Sequence, residues 1–466
     1  MFLSQSVRVL TLFFTLLTGF LLARPTLAQN PNAQRPSARP AFTRLLPPER
    51  DSSEIFGLHP RVYGDWLAAG SARLGDSLAG VLHVYREVRG QWQHHQRLTA
   101  PDAQPGDDFG FASDLDGTTL VVGAPGSVSN AHPRSGRVHV FERGAQGDWE
   151  PAAELAPPSP ADSLGFGYYV ELDGDRLAIG EIWASQGGPS GDRNVYIYGR
   201  EEGTWQLQTM IPTPENLRAR TEKEASNDFG VHFDLDGPTL AVYSGMNSVV
   251  LYKSVGTEWI RQQTLHAPQD SSGYESPWGP AFGRTLDLDG DRLVIGALRD
   301  NAAARDAGAV YVYLRSGDRW RLQHKLEAPD GATGDMFGHW VAQDQGVILS
   351  GAFRHSMPEA PQSGAAYLFV QEREEAGRAS WHLARKLVPP NPATRRFTAY
   401  TVDLHEGTAV LNPGADIAPS QFQEPSGGLW VIDVSEWQPA DSSSGALPSV
   451  WHVTDPSQVC EPRRLW

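Results

Sequence analysis

The stretch Phe282–Ala297, FGRTLDLDGDRLVIGA, contains three acidic residues at alternate positions, Asp287, Asp289 and Asp291. Alternating carboxylates can surround a calcium ion, because Ca²⁺ takes roughly six to eight oxygen ligands. The same residues also fit a tight turn between two strands, because Asp-Gly between apolar runs is a strong hairpin signal. The two interpretations predict a metal-dependent protein in one case and a scaffold in the other.

Other versions of this stretch occur along the chain, and they make it a repeat. They begin at Phe56, Phe109, Phe166, Phe229, Phe337 and, in a degenerate form, Phe397. Successive phenylalanines are 53, 57, 63, 53, 55 and 60 residues apart. A repeat of this period is typical of a propeller or a solenoid.

The spacing inside each repeat is more regular than the period. A glycine follows the phenylalanine by 14 positions in five copies, and the fourth copy has Tyr243 at that position. The seventh copy has one extra residue. Such constancy indicates that no insertion is tolerated, as expected of a β-hairpin with a fixed register.

Each regular repeat continues with two more alternating segments. The first resembles GAVYVY at 308–313, and the second follows a short turn and opens on a tryptophan. These tryptophans are Trp92, Trp149, Trp205, Trp259, Trp320 and Trp381. Four strands in each of seven repeats predict an all-β protein, a seven-bladed β-propeller of four-stranded antiparallel blades. We expect the repeated Phe and Trp residues to be core.

The seventh repeat lacks a fourth strand, because its third strand at 428–434 and Trp437 are followed by the polar stretch PADSSSG. Residues 42–57 resemble the fourth strand and following loop at 322–338. We therefore predict that residues 42–48 supply the missing outer strand and close the ring. The alternative is that PSVWHV at 448–453 fills the gap.

The N-terminus has the features of a secretory signal peptide. Arg8 precedes a mostly apolar run of 14 residues, and small residues end at Ala28. The run is short for a membrane anchor, so we expect cleavage after residues 1–28 and no membrane span in the mature chain. The predicted organisation continues with a flexible linker at 29–41, the propeller at 42–437 and a C-terminal tail at 438–466. A secreted or periplasmic location is expected.

The net charge limits the kinds of partner the protein can bind, and the cysteine content limits its cross-links. The chain of 466 residues has a net charge of −16, and removal of Arg8 and Arg24 with the signal peptide makes it −18. An acidic protein repels phosphate backbones, so we expect no nucleic-acid partner. Cys460 is the single cysteine, so the chain has no intramolecular disulfide.

The pattern FG…LDGD…LVIGA followed by GAVYVY resembles the FG-GAP repeat of integrin α-chain propellers and their bacterial secreted relatives. The resemblance extends over residues 42–437. It implies a seven-bladed propeller used for extracellular recognition, without catalytic activity. It also implies that calcium, where it binds, is held by alternating acids in the loop between the second and third strands of a blade.

The loops in that position are poor in acids. Only 297–307 has two aspartates, Asp300 and Asp306, with Asn301 between them. These three residues are weak metal candidates and offer too few oxygens for calcium. The first repeat has Tyr63-Gly64 where others have Asp-Gly. We therefore interpret the acidic stretch as a turn and predict no cofactor, with calcium as the remaining possibility.

The propeller topology indicates where a partner would bind. The loops between strands two and three lie on the same face as the loops from one blade to the next, and this face carries nearly all the length variation. Variable loops on a rigid scaffold are the usual place for recognition. Ligand-face candidates are Trp183, Tyr274, Trp278, Arg299, Phe353 and Arg354. For any single aromatic, loop packing is the alternative.

Catalytic motifs such as Gly-x-Ser-x-Gly, His-Glu-x-x-His or a phosphate-binding glycine loop are absent from the sequence. The sequence therefore predicts a non-enzymatic propeller that binds an extracellular protein or carbohydrate. The alternative is a hydrolase or lyase with carboxylates and a His or Tyr at the central channel, because propellers can host such chemistry.

Overall fold

The computed structural model describes residues 42–48, 56–71, 79–182, 193–215, 228–245, 247–268, 279–301, 303–373, 379–390, 392, 394–413 and 428–437. The predicted signal peptide, linker and C-terminal tail lie outside these residues, as do Cys460 and the segment 448–453. Within the described part of the chain, no helix is long and apolar enough to cross a membrane.

The described residues form 28 strands in seven four-stranded antiparallel sheets, which confirms the predicted propeller. In blades one to six the strands follow chain order from the inner to the outer edge. Blade one consists of β2 (Phe56–Tyr63), β3 (Trp66–Ser71), β4 (Val81–Val88) and β5 (Gln91–Leu98). Blade two consists of β6 (Ser113–Asp116), β7 (Thr119–Ala124), β8 (Arg137–Arg143) and β9 (Trp149–Leu155). Blade three consists of β10 (Tyr169–Asp173), β11 (Arg176–Gly180), β12 (Asn194–Glu201) and β13 (Thr204–Pro212).

The next three blades have the same order. Blade four consists of β14 (Phe233–Asp236), β15 (Thr239–Tyr243), β16 (Ser248–Val255) and β17 (Glu258–His266). Blade five consists of β18 (Phe282–Asp289), β19 (Arg292–Ala297), β20 (Ala309–Ser316) and β21 (Arg319–Leu326). Blade six consists of β22 (Phe337–Asp344), β23 (Val347–Ala352), β24 (Ala365–Arg373) and β25 (Ala379–Leu387). The inner strands of neighbouring blades contact each other around the ring, including β26 with β2.

Blade seven takes its strands from both ends of the propeller. Its members are β26 (Thr398–His405), β27 (Thr408–Pro413), β28 (Leu429–Asp433) and, at the outer edge, β1 (Phe42–Leu45). Phe42 lies opposite Ile432 and Leu45 opposite Leu429 in an antiparallel register. The N-terminal segment therefore supplies the outer strand, as predicted, although the strand ends at Leu45 rather than at residue 48.

The hydrophobic core lies between successive blades. One cluster joins Trp66 and Leu82 of blade one to Phe109, Leu120 and Trp149 of blade two. The phenylalanines of the first six repeats are buried, as predicted, whereas Phe397 of the degenerate seventh repeat is half-buried. The tryptophans that open the fourth strands are buried at Trp149, Trp205, Trp320 and Trp381 and half-buried at Trp92 and Trp259.

The constant spacing from phenylalanine to glycine has a second cause beyond hairpin register. A Cβ atom on Gly123 in blade two would overlap the carbonyl oxygen of Gly167, which follows the repeat phenylalanine of blade three. The amide of Gly167 in turn donates to the carbonyl of Gly180 at 3.0 Å. The glycine therefore allows two backbones from neighbouring blades to approach, which a sequence read one hairpin at a time does not reveal.

The turn in the opening stretch is displaced by one residue from its predicted position. Asp289 pairs with Arg292, so the central residues are Gly290 and Asp291 rather than Asp289 and Gly290. Gly290 has a φ of 57°, whereas Asp291 is not among the residues with positive φ. One positive φ at the first central position is the type II′ geometry, which also accommodates Pro238 at the second position in blade four.

Candidate binding site at the channel mouth

The acids of the opening stretch are bound to groups of the propeller itself. Asp287 accepts a hydrogen bond from the backbone amide of Gln343 in blade six at 3.2 Å. Asp289 pairs with Arg292 at 2.9 Å, and Asp291 pairs with Arg315 at 2.6 Å. These donors are what the turn interpretation requires, and they occupy the oxygens that a calcium ion would need.

Asp287 belongs to a ring of charged side chains inside the channel. The equivalent position holds a carboxylate in four more blades and an arginine in blade one. These residues are Arg61, Asp114, Glu171, Asp234, Asp287 and Asp403. The Arg61 guanidinium lies 3.2 Å from Asp114 and 3.9 Å from Asp403, and it also contacts Glu171. One arginine therefore stands among five carboxylates, and we call this set the carboxylate ring.

The carboxylate ring also connects backbones. Asp114 accepts hydrogen bonds from the amide of Leu115 at 2.9 Å and from that of Leu172, in blade three, at 2.6 Å. Asp234 makes the same pair of bonds to the amides of Leu235 and Leu288. Each aspartate therefore links the inner strand of its own blade to that of the next.

Burial changes the protonation of the ring. It raises the pKa of Asp234 to about 7, against the hydrogen bond from Leu288 and the positive charge of Arg61. It also raises the pKa values of Glu171 and Asp287 well above their usual range, and Arg61 opposes the rise at Glu171. The ring therefore binds protons more readily than carboxylates in water do.

A layer of aromatic side chains lies across the channel, one step closer to the variable-loop face. The His59 ring lies 5.3 Å from that of Trp340 and 6.2 Å from that of Tyr169. His232 lies 4.8 Å from Tyr169 and 5.2 Å from Trp340. These four residues come from blades one, three, four and six, so they meet across the channel. We call them the aromatic layer.

The aromatic layer is uncharged at neutral pH. Burial, followed by the charge of Arg61, lowers the pKa of His59 to about 3. Burial also lowers the pKa of His232 well below its usual range, with His59 and Arg284 acting in the same direction. The layer therefore separates the carboxylate ring from the variable-loop face with neutral rings.

Aromatic residues and arginines surround the mouth of the channel on that face. The Phe111 and Tyr168 rings lie 4.8 Å apart, and those of His339 and Tyr400 lie 4.4 Å apart. Arg284, two residues after Phe282, is exposed. These residues lie among the first three residues of the inner strands or within two residues before them, which places them at one level around the channel.

Two arginine charges act on the rings of the mouth. Burial raises the pKa values of Tyr168 and Tyr400, and the charge of Arg284 opposes both shifts. Burial lowers the pKa of His339 to about 3, and Arg284 and Arg354 lower it further. Within the described part of the chain, neither arginine has a carboxylate within ion-pair distance. We call Phe111, Tyr168, Arg284, His339, Arg354 and Tyr400 the mouth cluster.

Comparison with known proteins identifies the repeat. Residues 92–141, 259–313 and 320–369 match the FG-GAP repeat. The chain carries FG-GAP repeats. No curated protein matches the sequence.

Solved propellers resemble this FG-GAP propeller only in outline. The propeller domain of Cps50 (Swd1) of Myceliophteria thermophila has a TM-score of 0.49 at 12% identity, covering 85% of this chain and 100% of that one. Sqt1 of Saccharomyces cerevisiae has a TM-score of 0.45 at 11% identity, covering 82% and 96%. A putative 6-phosphogluconolactonase of Bacteroides fragilis NCTC 9343 has a TM-score of 0.41 at 12% identity, covering 71% and 83%.

Only three of the six predicted ligand-face residues, Arg299, Phe353 and Arg354, lie in the described part of the FG-GAP propeller. Trp183, Tyr274 and Trp278 lie outside the described residues. Arg299 is half-buried, and its amide donates to the carbonyl of Pro280 at 3.1 Å.

Phe353 and Arg354 do lie at the channel mouth. The Phe353 ring lies 4.3 Å from that of His339, and the Arg354 guanidinium lies 5.4 Å from the Phe353 ring. Phe353 is only 4% exposed, so it supports the cluster by packing.

Sequence reasoning missed the remaining members of the mouth cluster. Phe111, Tyr168, Arg284 and His339 each stand two residues after a repeat phenylalanine, and Tyr400 stands three after the last one. That shared register was the signal that could have found them, because equivalent positions of inner strands meet at one level of a propeller channel.

The predicted metal candidates are bound to donors. Asp300 accepts hydrogen bonds from the Tyr311 hydroxyl at 2.6 Å and from the Lys325 ammonium at 2.7 Å. Asn301 accepts one from the amide of Asp306 at 2.8 Å. An ammonium against the carboxylate competes with a divalent cation, so this loop does not fit a calcium site.

A second group with potential ligands is Asp102, His139 and Glu154. The guanidinium of Arg137 lies 2.9 Å from both carboxylates. The Arg137 guanidinium therefore occupies the position between the two carboxylates where a metal ion would have to bind.

The carboxylates of the channel were the basis of the enzymatic alternative, and the Tyr169 hydroxyl lies 3.5 Å from Arg61, which contacts them. Their oxygens, however, accept hydrogen bonds from backbone amides and from Arg61, and the aromatic layer covers them from the mouth. A general acid or base must reach a substrate proton, which this arrangement does not favour.

Proposed function

We propose that this FG-GAP propeller is a non-enzymatic binding protein that acts outside the cell or in the periplasm. Its partner is an extracellular protein or carbohydrate, bound on the face that carries the variable loops. The observation that carries the proposal is the mouth cluster on that face. Exposed arginines beside aromatic rings are the composition in which binding energy concentrates at interfaces.

Two further features support the proposal. FG-GAP repeats are typical of extracellular proteins, and residues 1–28 have the pattern of a cleaved signal peptide. The opposite face consists of two-residue turns whose acids bind the propeller itself, such as Asp236 with the amide of Gly290. Those turns leave little variable surface for recognition.

The test uses the mature chain from residue 29 as bait for extracellular proteins and an array of glycans. Two variants separate the faces. In one, the described loops 125–135 and 353–363 are replaced by Gly-Ser segments of equal length. In the other, Asp65, Asp175 and Asp291 of the turn face are changed to Asn.

We expect captured partners to be lost with the first variant and retained with the second. Binding that survives replacement of the loops and disappears with the turn-face variant would show that recognition takes place on the turn face and not on the proposed face. Conversion of a captured glycan to shorter products would contradict the non-enzymatic assignment.

A further inference from the structure

The ligand class can be narrowed from the chemistry of the mouth cluster, an inference that rests on the proposed function. Arg284 and Arg354 are exposed and are without a carboxylate partner in the described structure, although the chain carries a net charge of −16. Several arginines elsewhere in the described propeller pair with carboxylates, as Arg315 does with Asp291 and Arg200 with Glu142. Both guanidiniums act on the same two rings, His339 and Tyr400. They are suited to a ligand carboxylate, which arginine binds in a bidentate manner.

The rings beside the arginines define the rest of the ligand. Phe111 and Tyr168 contribute ring faces, and Tyr168 and Tyr400 remain protonated at neutral pH because burial raises their pKa values. Their hydroxyls are therefore available as donors and acceptors. A sugar ring presents an apolar C–H face bordered by hydroxyls, which matches a surface of ring faces and phenols.

The polar groups of the mouth favour a sugar over an acidic peptide. The mouth is rich in donors, and Asp228, a carboxylate whose charge acts on Tyr168, is already paired with Arg193 at 3.4 Å. Sugar hydroxyls can accept hydrogen bonds as well as donate them. The N–H of a peptide group can only donate, so each N–H would leave its solvent shell for a surface with few acceptors.

The floor of the mouth is compatible with an anion. The aromatic layer of His59, Tyr169, His232 and Trp340 lies between the mouth and the carboxylate ring. Arg61 offsets part of the negative charge of that ring. A ligand carboxylate at Arg284 therefore faces neutral rings and two guanidiniums.

We propose that the mouth cluster binds a carboxylated carbohydrate, with Arg284 and Arg354 on the carboxylate and Tyr168 and Tyr400 against the sugar ring. The ligand inserts from the variable-loop face and stops at the aromatic layer.

The experiment measures binding of the mature chain to three probes by titration calorimetry: an oligogalacturonate, uncharged dextran and poly-glutamate. The variants are R284Q and R354Q, with R319Q as the matched control. Arg319 is exposed at the start of β21, at the end of the blade opposite the mouth. The melting temperatures of all three variants are expected to match that of the unmodified protein, because exposed arginines contribute little to folding.

We expect oligogalacturonate to bind, R284Q and R354Q each to weaken it by about tenfold, and R319Q to leave it unchanged. Y168A, which removes a ring but no charge, is expected to weaken the same probe.

Three outcomes would overturn the inference. Dextran binding as tightly as oligogalacturonate, with no effect of R284Q, would show that the ligand needs no carboxylate. It would leave the proposed binding function intact. Poly-glutamate binding with the same arginine dependence and without the Tyr168 dependence would identify an acidic peptide instead. Capture of protein partners on the variable-loop face, without binding of any of the three probes, would reject a carbohydrate as the ligand. It would still support the variable-loop face as the binding surface.

Discussion

The carboxylate of Asp403, in the last blade, accepts a hydrogen bond from the backbone amide of Val62, in the first blade, at 2.6 Å. The neighbouring residue Arg61 lies 3.9 Å from the same carboxylate and reaches Asp114 of blade two and Glu171 of blade three. One short segment of β2, in blade one, therefore contacts three other blades. The ring of blades is therefore closed by contacts at the channel as well as by the pairing of β1 with β28 at the outer edge of blade seven.

Arg61→Met is expected to lower the free energy of unfolding by roughly 3–5 kcal/mol, because it leaves several buried carboxylates without their cation. Chemical denaturation at pH 7.5 measures the loss. The matched control is Arg86→Met, whose ion pair with Asp65 has side chains 43% and 48% exposed. We expect the control to change stability by less than about 1 kcal/mol. Equal losses for the two variants would show that Arg61 does not hold the channel together.

Glu181 gives the propeller a defined pH dependence. Burial raises its pKa from 4.5 to about 7, against hydrogen bonds from Tyr196 and Asn194. The folded state therefore binds this proton more tightly than the unfolded state. The resulting stability is fully present below pH 4.5 and is lost as the pH rises through about 7.

Glu181→Gln is expected to reduce the difference in unfolding free energy between pH 5 and pH 8 by about 2–3 kcal/mol. Denaturation curves at the two pH values measure it. The exposed Glu201→Gln serves as control, and its difference should equal that of the unmodified protein. A Glu181→Gln difference that is unchanged would contradict the assignment.

Gly123→Ala tests the close approach between blades two and three. The new methyl group would overlap the carbonyl oxygen of Gly167, so we expect a loss of about 3 kcal/mol or more. Gly117→Ala is the control at a turn, where no atom lies within 4 Å of the added carbon. There the cost is that of a positive φ alone, about 1 kcal/mol. A larger loss at Gly117 would place the constraint in the turn rather than between the blades.

The propeller could be predicted from the sequence because its determinants are local and repeated. Residues equivalent to Phe109 and Trp149 recur in each regular repeat, and each blade alternates apolar and polar residues with the strand period. The mouth cluster could not be found in the same way, because its members are neighbours only after the ring closes. Arg284 and Tyr168 are more than a hundred residues apart, and only their common position two residues after a repeat phenylalanine relates them in the sequence.

The contacts between blades were hidden for the same reason. Asp114 looks like one acid of a turn motif, and only the ring brings it within 2.6 Å of the Leu172 amide. The prediction of which two residues stand at the centre of the turn was wrong by one position. An Asp-Gly pair indicates a hairpin, but the hydrogen-bond register decides which two residues become central.

The N-terminal strand is predicted to support the whole ring. Deletion of residues 42–48 removes β1, whose four residues pair with β28 and whose Leu45 is 5% exposed. Each lost backbone hydrogen bond costs about 0.5–1.5 kcal/mol, and β28 becomes an open edge. We expect a clear fall in melting temperature, whereas deletion of residues 441–466 should leave it unchanged.

Two point variants test the same strand without a deletion. Leu45→Asp places a charge in a buried position, while Leu46→Asp changes the adjacent residue, which is 39% exposed. The first is expected to lower the melting temperature and the second to have little effect, because only a buried charge loses its hydration. If residues 448–453 formed the outer strand in solution, the C-terminal deletion would be the destabilising one. Equal melting temperatures for the intact protein and the 42–48 deletion would show that β1 is dispensable for closure.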